Sequence, residues 1–400
     1  MVRKRTGNNQ FLKKFNQAVI LDLIRREKGI SKAELAEITG LSPTAVGVIT
    51  ASLLEEGYIH ETGTGESKGG RRPVLLELKP RSFYAIGVDM DVAYMNMMLI
   101  DITGEVICER TMHLSESTAF EKAVGRLEDA ILDMLDEKVI DLGRLLGIGI
   151  SVPGLVNSET GEVVLAPNLQ WENIDVKSHL IRLKHVPVYV ENEAMASAIC
   201  ENWIGLCQDV GNFVCINIKS GIGAGIFTNG KLYRGAGGSA GEVGHIVVDE
   251  NGPKCGCGNY GCLETLASTT RIADKAKRLV RQGIVSSLNE IKDVDAITID
   301  RIVEVARGGD EAAKNILMES ARYIGIAISS IINTLNPSKI VLGKEFIKYA
   351  DLVMEHIKGV AACKSLAFPT ANVEITASNI GEKASALGAA IIPLKVLFGK

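Results

Sequence analysis

The feature that most constrains this chain is a cluster of one histidine and three cysteines within 18 residues. The motif Gly-Glu-Val-Gly-His at positions 241–245 precedes Cys-Gly-Cys-Gly-Asn-Tyr-Gly-Cys-Leu-Glu at positions 255–264. One imidazole and three thiolates are the ligand set of a closed, tetrahedral structural Zn²⁺ site. Glycines between the cysteines permit the tight turns that bring three sulfurs to one ion. The alternative is three reduced cysteines in a glycine-rich turn.

Two carboxylates bracket this predicted metal site, Glu242 before it and Glu264 after it. The predicted metal ligands are His245, Cys255, Cys257 and Cys262. A metal at this place would fix a loop that presents both carboxylates to a ligand.

These motifs resemble the hallmark of the ROK family (repressors, open reading frames and sugar kinases), which is Gly-Glu-x-Gly-His followed by Cys-x-Cys-Gly-x-x-Gly-Cys-x-Glu. The resemblance covers nearly the whole chain. It implies an α/β body of the actin–hexokinase–Hsp70 fold, in which two lobes face a cleft for nucleotide and sugar. It also implies assembly as a homodimer or homotetramer.

Length and composition set the broad class of the protein. A chain of 400 residues is too long for one core, and 46% apolar residues with 41 glycines are typical of a soluble α/β protein. No apolar run approaches the ~20 residues of a membrane span, and the basic N-terminus lacks the apolar region of a signal peptide. Cysteines arranged for metal rather than disulfides favour a reducing compartment, so we expect a cytoplasmic protein without a membrane partner.

Charge is uneven along the chain. The first 80 residues hold 13 Lys and Arg against 9 Asp and Glu, whereas the whole chain holds 44 against 48. A basic N-terminal unit on an acidic body suggests a polyanionic partner for that unit alone. We predict three units: residues 1–80, a first lobe formed by 81–190 with 382–400, and a second lobe, 191–381, with the zinc motif and sugar site.

The N-terminal unit has the pattern of a winged helix-turn-helix. A first helix is predicted over 9–28, and Ser31 with Glu34 forms a capping box for a second. Ser42 and Pro43 start a third helix, the recognition helix, over 43–56. Strands at 58–61 and 74–78 would flank a flexible basic wing loop. The alternative is a packing module with a solvated loop, but the winged domain of ROK repressors is similar and favours binding of operator DNA.

The candidate DNA contacts fall into two sets. Small groups on the recognition helix would contact base edges through hydroxyls and methyls, and basic groups would supply phosphate and minor-groove affinity. The first set is Ser42, Thr44, Ala45, Gly47 and Val48, and the second is Lys32, Lys68, Arg71, Arg72 and the tail Arg3-Lys4-Arg5.

In the body, strands are predicted at 84–90, 94–100, 105–113, 145–151 and 186–191, and helices at 119–137, 269–282, 298–307, 311–335 and 382–397. The family resemblance assigns a monosaccharide site to Asn168, Asn192, Glu193, Glu242, His245 and Glu264. Trp171 beside Asn168 suits stacking on a sugar and core packing equally well.

Three positions depart from the pattern of ROK kinases. Asp91 stands where the kinases have a Gly-Gly-Thr phosphate turn, Glu193 replaces the aspartate that acts as catalytic base, and Lys344 replaces a second glycine after Gly343. A glycine-rich turn at 220–225 is retained. A negative charge at Asp91 opposes phosphate, and the longer Glu193 displaces the base.

The sequence therefore predicts a sugar-responsive transcriptional repressor, not an enzyme, with structural Zn²⁺ as its cofactor. Within the family it is most similar to xylose repressors, and glucose and N-acetylglucosamine remain alternative inducers. The rival interpretations are an ATP-dependent sugar kinase with an appended DNA-binding domain and a repressor controlled by a protein partner.

Overall fold

The structure, a computed structural model, describes residues 9–64, 72–114 and 120–400. The N-terminal part is a helix-turn-helix with a three-stranded sheet of order β1-β3-β2. Its elements are α1 (Asn9–Glu27), β1 (Ile30–Ser31), α2 (Lys32–Thr39), α3 (Pro43–Glu55), β2 (Ile59–Thr64) and β3 (Val74–Leu78).

Capping residues set the limits of the two short helices. Ser31 accepts a hydrogen bond from the Glu34 backbone N–H, and the Glu34 carboxylate accepts one from the Ser31 N–H, which completes the predicted capping box. Gly40 ends α2 in the left-handed conformation at φ 69°. Ser42 caps α3 through the Ala45 N–H, with proline in the first turn as predicted.

The first lobe is built on a five-stranded sheet of order β11-β7-β4-β5-β6. Strands β4, β7 and β11 are parallel, and β4 to β6 form an antiparallel meander. A separate three-stranded sheet, β10-β9-β8, was not predicted. The elements are β4 (Tyr84–Met90), β5 (Tyr94–Asp101), β6 (Val106–His113), α4 (Phe120–Glu137), β7 (Leu145–Val152), β8 (Leu155–Asn157), β9 (Glu162–Ala166), β10 (Trp171–Asp175), α5 (Val176–His179) and β11 (Val188–Asn192).

The second lobe repeats this connectivity around a sheet of order β14-β13-β12-β15-β16, reached through α6 (Glu193–Trp203). Its first three strands form a meander, and β12, β15 and β16 are parallel. The elements are β12 (Phe213–Ile218), β13 (Ile222–Thr228), β14 (Lys231–Tyr233), α7 (Leu263–Ala267), α8 (Thr269–Arg281), α9 (Ile299–Arg307), α10 (Glu311–Leu335), β15 (Lys339–Lys344), α11 (Ala350–Lys364), α12 (Ala367–Ala371), β16 (Glu374–Ala377) and α13 (Ala384–Leu397). The predicted two-lobed α/β body is confirmed.

Two helices join the lobes, because α13 packs on α6 and on strands β4 and β7 of the first sheet. Glycines permit this close approach. A Cβ on Gly87 of β4 would lie 1.9 Å from the Ala386 carbonyl oxygen, and one on Gly388 would lie 1.8 Å from the Ala196 carbonyl oxygen. The C-terminal helix thus packs on the sheet of the first lobe.

The helix-turn-helix shares its hydrophobic core with this pair of helices. Ile20 and Ile24 of α1 belong to the same buried cluster as Trp203 of α6 and Phe398 after α13. Each lobe has a further cluster of its own. Within the described ranges, no helix is both long and apolar enough to cross a membrane.

Candidate functional site

The histidine and three cysteines that the sequence singles out lie together in the second lobe. His245 ends a 3-10 turn, Val243–His245, and Cys262 caps the start of α7. Bridges between Val247 and Cys262 and between Lys254 and Tyr260 hold the loop between them. The ligand atoms of His245, Cys255, Cys257 and Cys262 all lie within 4.8 Å of one another, so this cluster could hold a metal ion.

Two separations within the cluster match those of a tetrahedral zinc centre. Zn–S bonds of about 2.3 Å place two sulfurs about 3.8 Å apart, and an imidazole nitrogen about 3.6 Å from a sulfur. The Cys257 and Cys262 sulfurs are 3.7 Å apart, and His245 Nδ1 is 3.6 Å from Cys255 Sγ. Burial, with Cys257 and Cys255 nearby, raises the pKa of the Cys262 thiol to about 12. A divalent cation would relieve this cost, because it stabilises the thiolates.

Two carboxylates accompany the cluster. Burial raises the pKa of Glu242, the His245 ring lowers it and the Glu264 carboxylate raises it, so the three groups interact. Glu264, in the first turn of α7, accepts a hydrogen bond of 3.0 Å from the Ile222 backbone N–H. We call residues 245–262, which contain the four cluster residues, the metal loop. The bond from Ile222 to Glu264 ties the helix directly after this loop to the glycine-rich turn at 220–225. The structure therefore brings Glu242, His245 and Glu264 into one site.

Asn192 and Glu193 lie at the start of α6, at the end of β11. The Asn192 amide oxygen accepts from the N–H groups of Ala194 and Met195, and its nitrogen donates to the Gly154 carbonyl at 2.9 Å. These bonds make Asn192 an N-cap that also anchors the loop after β7. Glu193 is partly buried. Burial raises its pKa, the Lys344 ammonium lowers it and Asp89 raises it.

Asp91, Glu193 and Lys344 belong to one charged cluster. The Asp91 carboxylate pairs with the Lys219 ammonium, which also contacts the Tyr94 hydroxyl. Lys344 pairs with Asp89 at 3.0 Å, and both Lys344 and Asp91 interact with Glu193. The negative charge of Asp91 is thus compensated, and sequence analysis missed its partner. No local pattern connects two residues 128 positions apart.

The structure resolves the role of Trp171 and places Asn168 at the surface. Asn168 lies exposed in a 3-10 turn, Pro167–Leu169, between β9 and β10. Trp171 is buried, and its ring meets Phe120 edge-on with centroids 5.0 Å apart. The indole belongs to the first-lobe core and does not serve as a stacking platform.

The side chains predicted to contact DNA are exposed to solvent or partly so, where the structure describes them. Ser42, Thr44 and Val48 are exposed on α3, and Ala45 and Gly47 beside them are partly exposed. Lys32 and Arg72 are also exposed. The predicted contacts Lys68, Arg71 and the tail Arg3-Lys4-Arg5 lie outside the described residues.

The helix-turn-helix meets the body at a charged and aromatic contact that sequence analysis did not predict. The Arg25 guanidinium of α1 lies 3.9 Å from the ring centroid of Trp203, at the end of α6. Buried Asp22 pairs with Arg25 at 2.9 Å, with Arg26 at 3.0 Å and with Lys400 at 3.0 Å. We call Asp22, Arg25, Trp203 and Lys400 the α1–α6 joint.

Known proteins match this arrangement over both of its parts. The ROK family model matches residues 85–396, and a model described as winged helix-turn-helix DNA-binding matches residues 19–60. A xylose repressor of Caldicellulosiruptor bescii is 35% identical over 382 residues, covering 96% of each chain.

Solved structures agree with these matches. A ROK family transcriptional regulator, a homologue of the E. coli Mlc protein, superposes with a TM-score of 0.86 at 31% identity over 97% of each chain. A ROK family glucokinase of Streptomyces griseus, solved with glucose and AMPPNP, has a TM-score of 0.67 at 29% identity and covers 77% of this chain and 98% of its own. The chain therefore belongs to the ROK family and carries a winged helix-turn-helix ahead of its two-lobed body.

Proposed function

We propose that this protein is a sugar-responsive transcriptional repressor, in which a monosaccharide bound by the body releases the winged helix from operator DNA. One observation carries the proposal. The xylose repressor matches 96% of this chain, winged helix included, whereas the glucokinase matches 77%. The inducer class proposed first is a pentose such as xylose, with glucose and N-acetylglucosamine as alternatives.

The proposed sugar site is the group of polar residues around the metal loop. Carboxylates accept hydrogen bonds from vicinal hydroxyls, and a sugar that leaves them unpaired is strongly disfavoured. We assign the site to Asn192, Glu193, Glu242, His245 and Glu264, with Asn168 at its rim. Zn²⁺ is the proposed ion of the cluster, where it would hold the loop in place.

A cheap test separates the sugar hypothesis from control by a protein partner. In a thermal-shift screen of monosaccharides, one sugar should raise the melting temperature, because it binds the folded state alone. Gel-shift titrations should then show operator affinity falling by roughly 5–150-fold at saturating sugar, the usual range of coupling between sites. Equal operator affinity with and without every sugar tested would contradict the switch and favour a protein partner.

The DNA-binding proposal rests on the exposed face of α3 and on Arg72. A two-fold dimer would present two recognition helices to successive major grooves, so the operator should be an inverted repeat with half-sites about one or two turns apart. Its A·T-rich segments should lie where arginines enter a narrow minor groove.

Two substitutions should separate affinity from sequence preference. Arg72→Ala should weaken binding to all sequences and reduce the slope of log affinity against log salt by about one. Thr44→Ala should instead relax discrimination between bases, at a cost of about 1–3 kcal/mol at one position. Gel shifts on operator and scrambled DNA at several salt concentrations measure both effects. Equal salt slopes for wild type and Arg72→Ala would exclude a phosphate contact at this side chain.

The enzymatic alternative is a sugar kinase with an appended DNA-binding unit. Asp91, Glu193 and Lys344 argue against it, because they replace the phosphate turn, the base and a glycine of the kinase pattern. A coupled assay with ATP and each sugar should detect no phosphorylation. Turnover in the common range of about 1–10³ s⁻¹ would favour the kinase instead.

Helix α6 is the proposed route from sugar to DNA. It begins at Glu193, in the sugar site, and ends at Trp203, on which Arg25 of α1 stacks. Helix α1 packs on α3 in turn. A rotation of α6 on lobe closure would therefore reach the recognition helix through rigid, packed elements.

A further inference from the structure

Two lysines and two aspartates pair between the lobes, close enough to Glu193 to act on its charge. Asp89 lies near the end of β4 in the first lobe, and Asp91 directly follows that strand. Lys219 follows β12, and Lys344 ends β15, in the second lobe. In open α/β sheets, ligands bind at the carboxyl ends of parallel strands, and glycine-rich turns hold phosphates through their N–H groups. These four side chains occupy such a place, next to the glycine-rich turn at 220–225.

Both pairs cross from one lobe to the other, and the inner one is almost completely buried. Lys344 Nζ is 3.0 Å from Asp89, and the two side chains are 2% and 3% exposed. The Ser151 hydroxyl donates to the other oxygen of Asp89 at 2.7 Å. In the outer pair, Lys219 contacts Asp91 and the Tyr94 hydroxyl, with its ammonium 4.5 Å from the Tyr94 ring centroid. Each ammonium therefore already has an anionic partner.

The backbone of Lys344 is held in a conformation that favours glycine. Its φ is 60° and its ψ is −137°, a region that other residues rarely adopt. Such strain persists only where the surrounding structure compensates for it. From this backbone position the Lys344 side chain reaches Asp89 in the opposite lobe. We attribute the compensation to that buried bond.

A gain in overall stability is a weak reason for a buried ion pair. Apolar residues of similar volume can often replace such a pair without loss of stability, whereas removal of one partner is strongly destabilising. The two pairs place opposite charges at the carboxyl ends of both sheets and connect the two lobes at a fixed point. A bound polyphosphate would supply the same connection, through backbone N–H groups of both sheets.

We propose that Lys219 and Lys344 form an interlobe clasp, which takes the place of nucleotide phosphates and closes this end of the cleft without a ligand. The clasp neutralises Asp91 and Asp89 and fills the position that phosphate would need. The part of the cleft that responds to a ligand is then the one beside the metal loop, with Glu242, His245 and Glu264. Because each lysine is paired with an aspartate, neither ammonium is available to polyphosphate. A lysine that has lost its aspartate should therefore bind polyphosphate.

The decisive experiment frees each lysine and measures binding of inorganic tripolyphosphate by calorimetry. Wild type should show no measurable binding. Asp91→Asn should free Lys219, and Asp89→Asn should free Lys344. Each variant should bind tripolyphosphate measurably, at least about 10-fold more tightly than the detection limit that wild type fails to reach, in line with one charge-assisted hydrogen bond. The double variant Asp91→Asn/Lys219→Met lacks the freed ammonium and should lose that gain.

Asp351→Asn is the matched control, because it frees a cation from an exposed pair, Arg307 with Asp351 at 2.8 Å. It should bind tripolyphosphate no better than wild type. Binding by wild type, or no gain in either Asp89→Asn or Asp91→Asn, would overturn the proposal. Neither sugar nor DNA enters the measurement, so its outcome is independent of the repressor function.

A double-mutant cycle of melting temperatures tests the clasp even in variants of low stability. Lys344→Met leaves Asp89 buried and unpaired, and Asp89→Leu leaves Lys344 unpaired, so each should lower the melting temperature by about 5 °C or more. The double variant should recover most of that loss, because it leaves no uncompensated charge. Additive losses in the double variant would show that the two residues are not coupled and would contradict the clasp.

Discussion

Cys257→Ser should release the bound metal and, with it, most of the sugar affinity. Cys257 is exposed, so the substitution removes a ligand without opening a cavity in the core. Loss of one thiolate leaves a site that no longer closes around Zn²⁺. The loop between His245 and Cys262 would then depend on its backbone hydrogen bonds and on the bond from the Tyr323 hydroxyl to Asp249. Glu242, close to His245, should lose its fixed position first.

Elemental analysis should find one zinc per chain in the wild type and a small fraction of that in Cys257→Ser. Sugar affinity, measured by calorimetry, should fall by at least about 10-fold, in line with the effect of disturbing the surroundings of a metal site. Cys363→Ser is the matched control, since Cys363 is also an exposed free thiol and lies far along the chain in α11. A zinc-free wild type that folds and binds sugar would refute the metal's role.

Arg25→Met should remove most of the sugar response of operator binding while the sugar and the operator DNA each still bind. The substitution keeps the apolar stem over Trp203 but removes the cation that stacks at 3.9 Å and pairs with Asp22. Cation–π contacts contribute about 0.5–2 kcal/mol, enough to carry much of a coupling free energy of 1–3 kcal/mol. The 5–150-fold difference in operator affinity should therefore shrink toward one.

Arg26→Met is the control for this experiment. Arg26 also pairs with Asp22, at 3.0 Å, but its side chain is 53% exposed. It should leave the sugar response intact. Because coupling is reciprocal, operator DNA should weaken sugar binding by the same factor in wild type and in Arg26→Met, and by little in Arg25→Met. A full response in Arg25→Met would exclude the α1–α6 joint as the route.

Local patterns allowed much of this structure to be predicted. The capping box of Ser31 and Glu34 and the N-cap at Ser42 depend on residues three apart, so a short window of sequence contains all the required partners. The metal cluster is similarly local, with its four residues inside one loop. The family resemblance supplied the two-lobed topology, which periodicity alone does not specify.

The parts that escaped prediction depend on residues brought together only by the fold. Lys344 and Asp89 are 255 positions apart, and neither has a sequence signature that indicates the other. Asp91 alone suggested uncompensated repulsion of phosphate, because its partner comes from the opposite lobe. Trp171 shows the same limitation, since its burial against Phe120 follows from packing rather than from its neighbours in sequence.

The shared core of α1, α6 and the C-terminus bears on the construction of hybrid regulators. A winged helix grafted at residue 80 onto the body of another family member would lose the apolar partners of Ile20 and Ile24 and one of the three ionic partners of Asp22, Lys400. The DNA specificity of the winged helix and the ligand specificity of the body are therefore exchangeable only together with a compatible end of α6 and a compatible residue at position 400. A hybrid that also transplants this contact surface should keep its induction, and one that does not should bind DNA without regard to sugar.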